Sequence, residues 1–232
     1  MFVLALFGLP SLWIFLLVAS LAHPVGGNAG GAGAIPATAL AAYAAASAGV
    51  GGVVAGCVVP PAVLMAVGKV ESDHAGGRPI RSDGAVDPPI VGPALDGVVP
   101  DTEKVADTDG GRLDGDPVWD HAVGPMQVLP STWASRGRDG SGDGVADPQN
   151  YFDAALTAAV ILCRPPADLS DPTRLAAALH GYNNSDGYVA SVQSWAEVYE
   201  GPTAARSTAA RIHPSSSARK AGSMLWLIGD SR

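Results

Sequence analysis

The chain has 232 residues, of which 14 are basic and 22 acidic, for a formal net charge of −8. Five basic residues and one acid fall in 201–232, leaving residues 1–200 at a net of −12; so acidic a body excludes a nucleic-acid partner, because phosphate binding needs a basic patch. The balance suits metal ions or a polymer of largely neutral sugars, and the length allows one domain with a sizeable core plus appendages.

No charged residue precedes Lys69. Residues 2–22 form an uncharged apolar run that ends in small residues, the pattern of an export signal cleaved after Ala22. The run lacks the Lys or Arg that usually opens a signal and is long enough for a membrane anchor, so signal peptide and anchor both stand for 1–22. Membrane contact is expected only through this segment. A Gly/Ala linker covers 23–34, and the folded domain is expected over 35–200. Export implies a secreted or cell-envelope protein, where the two cysteines, Cys57 and Cys163, read as a disulfide. Closing that loop of about 105 residues is worth on the order of 4 to 5 kcal/mol in the chain-entropy model. Two cysteines without a Cys/His set exclude a zinc site.

Helical patterns cover about 36–48, 60–72, 148–164, 172–180 and 186–199. Pro36 opens the first, and the Gly-rich stretch from Ala48 to Gly56 is expected to end it in a loop. Pro60-Pro61 suits the first turn of the second, whose early N–H groups have no intrahelical partner. Near its end Glu71 stands one and two turns above Val67 and Leu64, on the apolar side. A carboxyl there loses solvation as an anion, so its pKa rises and it can hold the proton a general acid needs. The competing reading is a Glu capping an exposed helix end beside Lys69.

Residues 73–147 are rich in Gly, Asp and Pro with little periodicity, which predicts functional loops. No strand has a strong signal, so the fold class is mainly α with long loop insertions. From Gly201 the chain is rich in Ser, Ala and Arg and is expected to be a disordered tail over 201–232.

Within the loops, Asp139-Gly-Ser-Gly-Asp-Gly places oxygen side chains at positions 1, 3 and 5 with Gly144 at position 6, the opening of a calcium loop. Asp139, Ser141, Asp143 and the Val145 carbonyl would be ligands. Asn150 stands where a bidentate Glu is usual, and the next carboxylate is Asp153. The alternative is a plain Gly/Asp turn, which is also the reading of Asp107-Thr-Asp-Gly-Gly. His121 and His180 have no paired ligand spacing.

Glu71-Ser72, then Gly124-Pro-Met-Gln127 with Pro130-Ser-Thr-Trp133, then Tyr182-Asn183 occur in the order found in lytic transglycosylases that cleave peptidoglycan. The chain resembles the membrane-bound lytic transglycosylase B type and its secreted relatives over about residues 35–199. The resemblance implies a lysozyme-like fold with a sugar-binding groove and Glu71 as the single catalytic acid and base. It assigns substrate-binding roles to Gln127, Tyr182 and Asn183, with Ser72 in support, and it favours the calcium reading of Asp139, Ser141, Asp143, Val145 and Asp153. Peptidoglycan glycan strands are the implied partner, a monomer is expected, and the chemistry requires no cofactor. Two other readings stay open: a non-catalytic, calcium-dependent wall-binding scaffold, and a two-carboxylate muramidase drawing on Asp107, Asp109, Asp114 or Asp116.

Overall fold

The structure, a computed structural model, describes residues 34–98 and 103–212, with side chains of the last helix described as far as Gly201. The expected signal or anchor, most of the linker and residues 213–232 lie outside the described residues. The described chain is mainly helical: α1 (Ala37–Val53), α2 (Pro61–Ser72), β1 (Val91–Ala94), β2 (His121–Val123), α3 (Pro130–Arg136), α4 (Tyr151–Leu162), α5 (Pro172–Tyr182) and α6 (Asp186–Ile212). None of these helices is long and apolar enough to cross a membrane.

The core forms where α2 packs on α6 and α1 on α4. On α1 the buried residues Ala39, Ala42, Tyr43, Ala46 and Val50 recur at helical spacing. They meet the small buried face of α4, Ala154, Ala155, Ala158 and Ala159, which lets the two backbones approach closely. The loop expected from Ala48 is instead the last turn and a half of α1. Burying Val50 against the core offsets part of the roughly 1 kcal/mol that each helical glycine costs.

α2 opens at Pro61 as expected and buries Val63, Leu64, Ala66 and Val67. Gly68 continues that face for a steric reason, since a Cβ there would collide with the Tyr43 hydroxyl. Behind it runs a buried polar chain: Tyr151 to Tyr43 at 2.7 Å, Tyr43 to His74 Nδ1 at 3.0 Å, and His74 Nε2 to Tyr199 at 2.9 Å. It ties α1, α4 and α6 to the residues just past α2. Burial holds the His74 imidazole down at about 4 and therefore neutral at physiological pH.

Cys57 and Cys163 form the expected disulfide, with Cα atoms 5.8 Å apart. Beside it, the Val58 N–H donates to Ala167 O at 3.0 Å and the Leu169 N–H to Val58 O at 2.8 Å, so the bond and a short bridge together join the α1–α2 connection to the segment after α4.

The stretch 73–147 holds an antiparallel pair, β1 with β2, and the short helix α3. Elements of four, three and seven residues are too brief to show a period. The rest of the stretch is organised by carboxylates accepting backbone N–H groups: Asp107 from Gly110 and Gly111, Asp109 from Arg112, Asp116 from Val118. At the C-terminus α6 breaks at Gly201 (φ 72°) and continues to Ile212, while the rest of the expected tail lies outside the described residues. Pro202 starts that turn and four alanines favour helix within it.

Candidate active site

Glu71 occupies the last turn of α2, and the backbone after it is unusual. Asp73, His74, Ala75, Gly76 and Gly77 all have positive φ, between 51° and 78°. Three consecutive non-glycine residues in that region cost on the order of 1 kcal/mol or more each. Three anchors hold them there: Asp73 pairs with Lys69, His74 sits between its tyrosines, and the Ala75 N–H donates to Ser72 Oγ at 3.0 Å. This reversed turn stops α2 abruptly and leaves the Glu71 carboxyl at its edge.

Across from it stands the Gly124–Gln127 turn. Val123 and Val128 exchange backbone hydrogen bonds at 3.0 and 3.1 Å, so the four residues between them close a tight hairpin. Gly124 has φ 75°, and a Cβ there would strike the Pro148 carbonyl, which makes glycine obligatory. Gln127 also has positive φ, 47°. Its amide nitrogen donates to Gly124 O at 2.9 Å, leaving the side chain braced within its own turn.

Ser72 links the two parts: its Oγ donates to Pro125 O at 2.8 Å. The hydroxyl expected to meet substrate is thus engaged in fixing the distance between helix end and turn. Met126 is fully buried, as a packing residue should be, and its carbonyl accepts the Tyr182 hydroxyl at 2.7 Å. Tyr182 ends α5 and lies parallel to Tyr188 of α6, with ring centroids 6.3 Å apart.

Tyr188 is the residue that sequence reasoning missed. It is buried, and its hydroxyl has no hydrogen-bond partner among the described residues. It lies close enough to Glu71 to work against the carboxyl's burial. Burial is the stronger effect and lifts Glu71 from the ordinary range to about 7. Reciprocally, burial first and the Glu71 charge second hold the Tyr182 and Tyr188 phenols above the usual tyrosine range. Six residues separate Tyr182 from Tyr188 across a helix break, a spacing no periodic signal would link.

Glu71, Ser72, Tyr182 and the Gly124–Gln127 turn are therefore brought together. Asn183 is exposed, and its backbone N–H caps α5 by donating to Leu179 O at 2.9 Å. Among the described residues, the groups that shift Glu71 include no second carboxylate. A groove of about 460 Å³ lined by Val63, Leu175 and Glu197 does not include Glu71.

The proposed calcium ligands are arranged otherwise than expected. Asp139 accepts from the Gly142 and Gly144 N–H groups at 2.6 and 2.7 Å, and Asp143 accepts from Val145 at 2.8 Å. Asp153, fully buried, accepts from Gly140, Ser141 and Asp147 at 2.8 to 2.9 Å. These carboxylates accept backbone amides and Ser141 Oγ donates to Asp139 at 3.1 Å, so the loop is held closed by its own donors. The acidic group whose oxygens do gather is Asp107, Asp109 and Asp114, within 4.8 Å of one another. Those carboxylates also accept amides of their own loop, Asp114 from His121 at 2.9 Å.

Comparison with protein-family models, curated proteins and solved structures finds no match for the chain.

Proposed function

We propose that this chain cleaves the β-1,4 bond between N-acetylmuramic acid and N-acetylglucosamine in peptidoglycan, as a lytic transglycosylase with a lysozyme-like helical fold. The observation that carries the reading is Glu71: a carboxyl lifted to about 7 by burial, with two tyrosines over it and no second carboxylate acting on it. A disulfide between Cys57 and Cys163 is compatible with a secreted or envelope protein.

In this mechanism the protonated Glu71 gives its proton to the glycosidic oxygen as the C1–O bond breaks, freeing the 4-hydroxyl of the leaving sugar. The oxocarbenium-like centre at C1 is stabilised by the muramic acid's own N-acetyl group. Glu71, now a carboxylate, takes the proton of the C6 hydroxyl as that oxygen bonds to C1. The product is a 1,6-anhydro sugar, no water is consumed, and Glu71 ends protonated as it began. A two-carboxylate hydrolase would need a second acid at defined separation. The acids at Asp107, Asp109, Asp114 and Asp116 are engaged with amides and His121 of their own loop. No step requires a metal.

Mass analysis of digested peptidoglycan tests the proposal. Wild-type protein should release 1,6-anhydro-muropeptides, and Glu71→Gln should release none above background. Reducing-end products would mean hydrolysis, and glycan binding without products would leave a scaffold.

A further inference from the structure

We infer that a pocket between α3, the end of α4 and α5 receives the carboxylates of the peptide substituents carried by the glycan strand. The inference rests on the glycan-cleaving reading of Glu71. The pocket, about 230 Å³, is lined by Thr132, Ser135 and Arg136 of α3, Arg164 just past α4, and Gly181 of α5. A second hollow of about 140 Å³ shares Arg164 and Ala178 with it and adds Arg174. Three arginines therefore line two hollows that share Arg164 and Ala178.

That clustering departs from the rest of the molecule. Residues 34–200 contain nine basic side chains, and most of those elsewhere are engaged. Lys69 pairs with Asp73, Arg81 with Asp83, Lys104 lies over Trp119, and Arg138 donates to the carbonyls of Arg136 and Gly137. Among the described residues neither Arg136 nor Arg164 joins an ion pair. Arg174 has two acids near it: Asp168, whose exposed carboxyl it helps to hold below the usual range, and Asp171, whose Oδ1 accepts the Arg174 backbone N–H at 2.9 Å. Gly181 leaves the pocket open, since a Cβ there would meet nothing within 4 Å.

A guanidinium fork matches a planar carboxylate through two parallel hydrogen bonds, and the Thr132 and Ser135 hydroxyls can serve the remaining lone pairs. The pocket follows directly on the site's own residues: Gly181 precedes Tyr182, and α3 begins three residues after Gln127. A free phosphate polymer would have to approach a body with a net charge of −12 over residues 1–200. A carboxylate tethered to a sugar already seated near Glu71 meets the arginines at high effective concentration.

The test compares glycan strands bearing their peptides with strands from which the peptides have been removed, using wild type, the double variant Arg136→Gln/Arg164→Gln and the double Lys variant. Charged hydrogen bonds of this kind are worth about tenfold each in affinity. Wild type should show a KM about tenfold or more lower for peptide-bearing strands. The Gln variant should lose that advantage with kcat and the KM for bare strands unchanged, and the Lys variant should recover part of it. An equal KM for peptide-bearing strands in wild type and Gln variant overturns the inference, as does a loss confined to binding of a phosphate-bearing wall polymer. If wild type cleaves neither strand, the glycan-cleaving reading fails. Cosedimentation with peptide-bearing strands then judges the arginines alone: weaker binding by the Gln variant upholds them, and equal binding overturns them.

Discussion

At the scale of single residues, Glu71 is where stability and activity are set against each other. Its folded pKa, about 7, lies above the ordinary carboxyl value of 4.5. Below pH 4.5 folded and unfolded chains both hold the proton, and the site is neutral in the stability balance. As pH rises through the interval to 7 the unfolded chain releases its proton while the folded one keeps it, so stability falls with pH and stays lower above 7. Glu71→Gln should therefore leave stability unchanged at pH 4 and raise it at pH 8 by on the order of 2 kcal/mol, below the full shift because the residue is only partly buried. Urea unfolding at the two pH values measures this, and a gain at pH 4 equal to that at pH 8 would contradict it. As a general acid, Glu71 should also make kcat/KM decline above about pH 7. Tyr188→Phe removes the group that lowers this carboxyl, so the decline should move to higher pH. By the same linkage the substitution should lower stability above pH 7, where the ionised carboxyl loses that support, and leave it little changed at pH 4. A pH profile that stays in place would show that Tyr188 does not reach Glu71.

At the scale of elements, α2 and α4 were legible because each buries an unbroken apolar face. Pro60-Pro61 marked the start of α2, and the Ala-rich face of α4 needed only the helical period. The Asp139–Asp153 loop was harder. The spacing that makes a calcium loop, with Asp or Ser at alternating positions and Gly144 at a turn, also lets carboxylates cap successive amides of the same backbone. Only the side-chain directions separate the two outcomes. Asp153 is the clearest case, since its buried carboxylate satisfies the N–H groups of Gly140, Ser141 and Asp147 at once. Chelation should leave Tm within about 1 °C, whereas Asp153→Ala, which strands three donors, should cost roughly 3 kcal/mol or more. A chelator-dependent fall in Tm of several degrees, read by differential scanning calorimetry, would show that an ion replaces these amides.

At the scale of the whole molecule, the Cys57–Cys163 bond and the Val58 bridge close the folded body around α4. Replacing both cysteines by serine should cost about 2 to 5 kcal/mol, measured by urea unfolding against the oxidised protein; a cost below 1 kcal/mol would mean the bridge alone holds the two segments. Much of this architecture was written locally. The mainly helical class and the positions of α2, α4 and α5 follow from periodicity and proline placement, properties of neighbouring residues, and the cysteine pairing from there being only two; local features left Glu71 open between a buried acid and an exposed helix-end cap. What only the tertiary structure decided are relations between distant ones. The extension of α1 through its glycines depends on burying Val50 against α4. Ser72 is drawn to Pro125 rather than left for a ligand, because the reversed turn at Asp73–Gly77 aims it there. Tyr188 joins Glu71 only when α6 packs on α2. Burial and hydrogen-bond partners at such positions are set by which surfaces meet, a long-range outcome that local spacing does not encode.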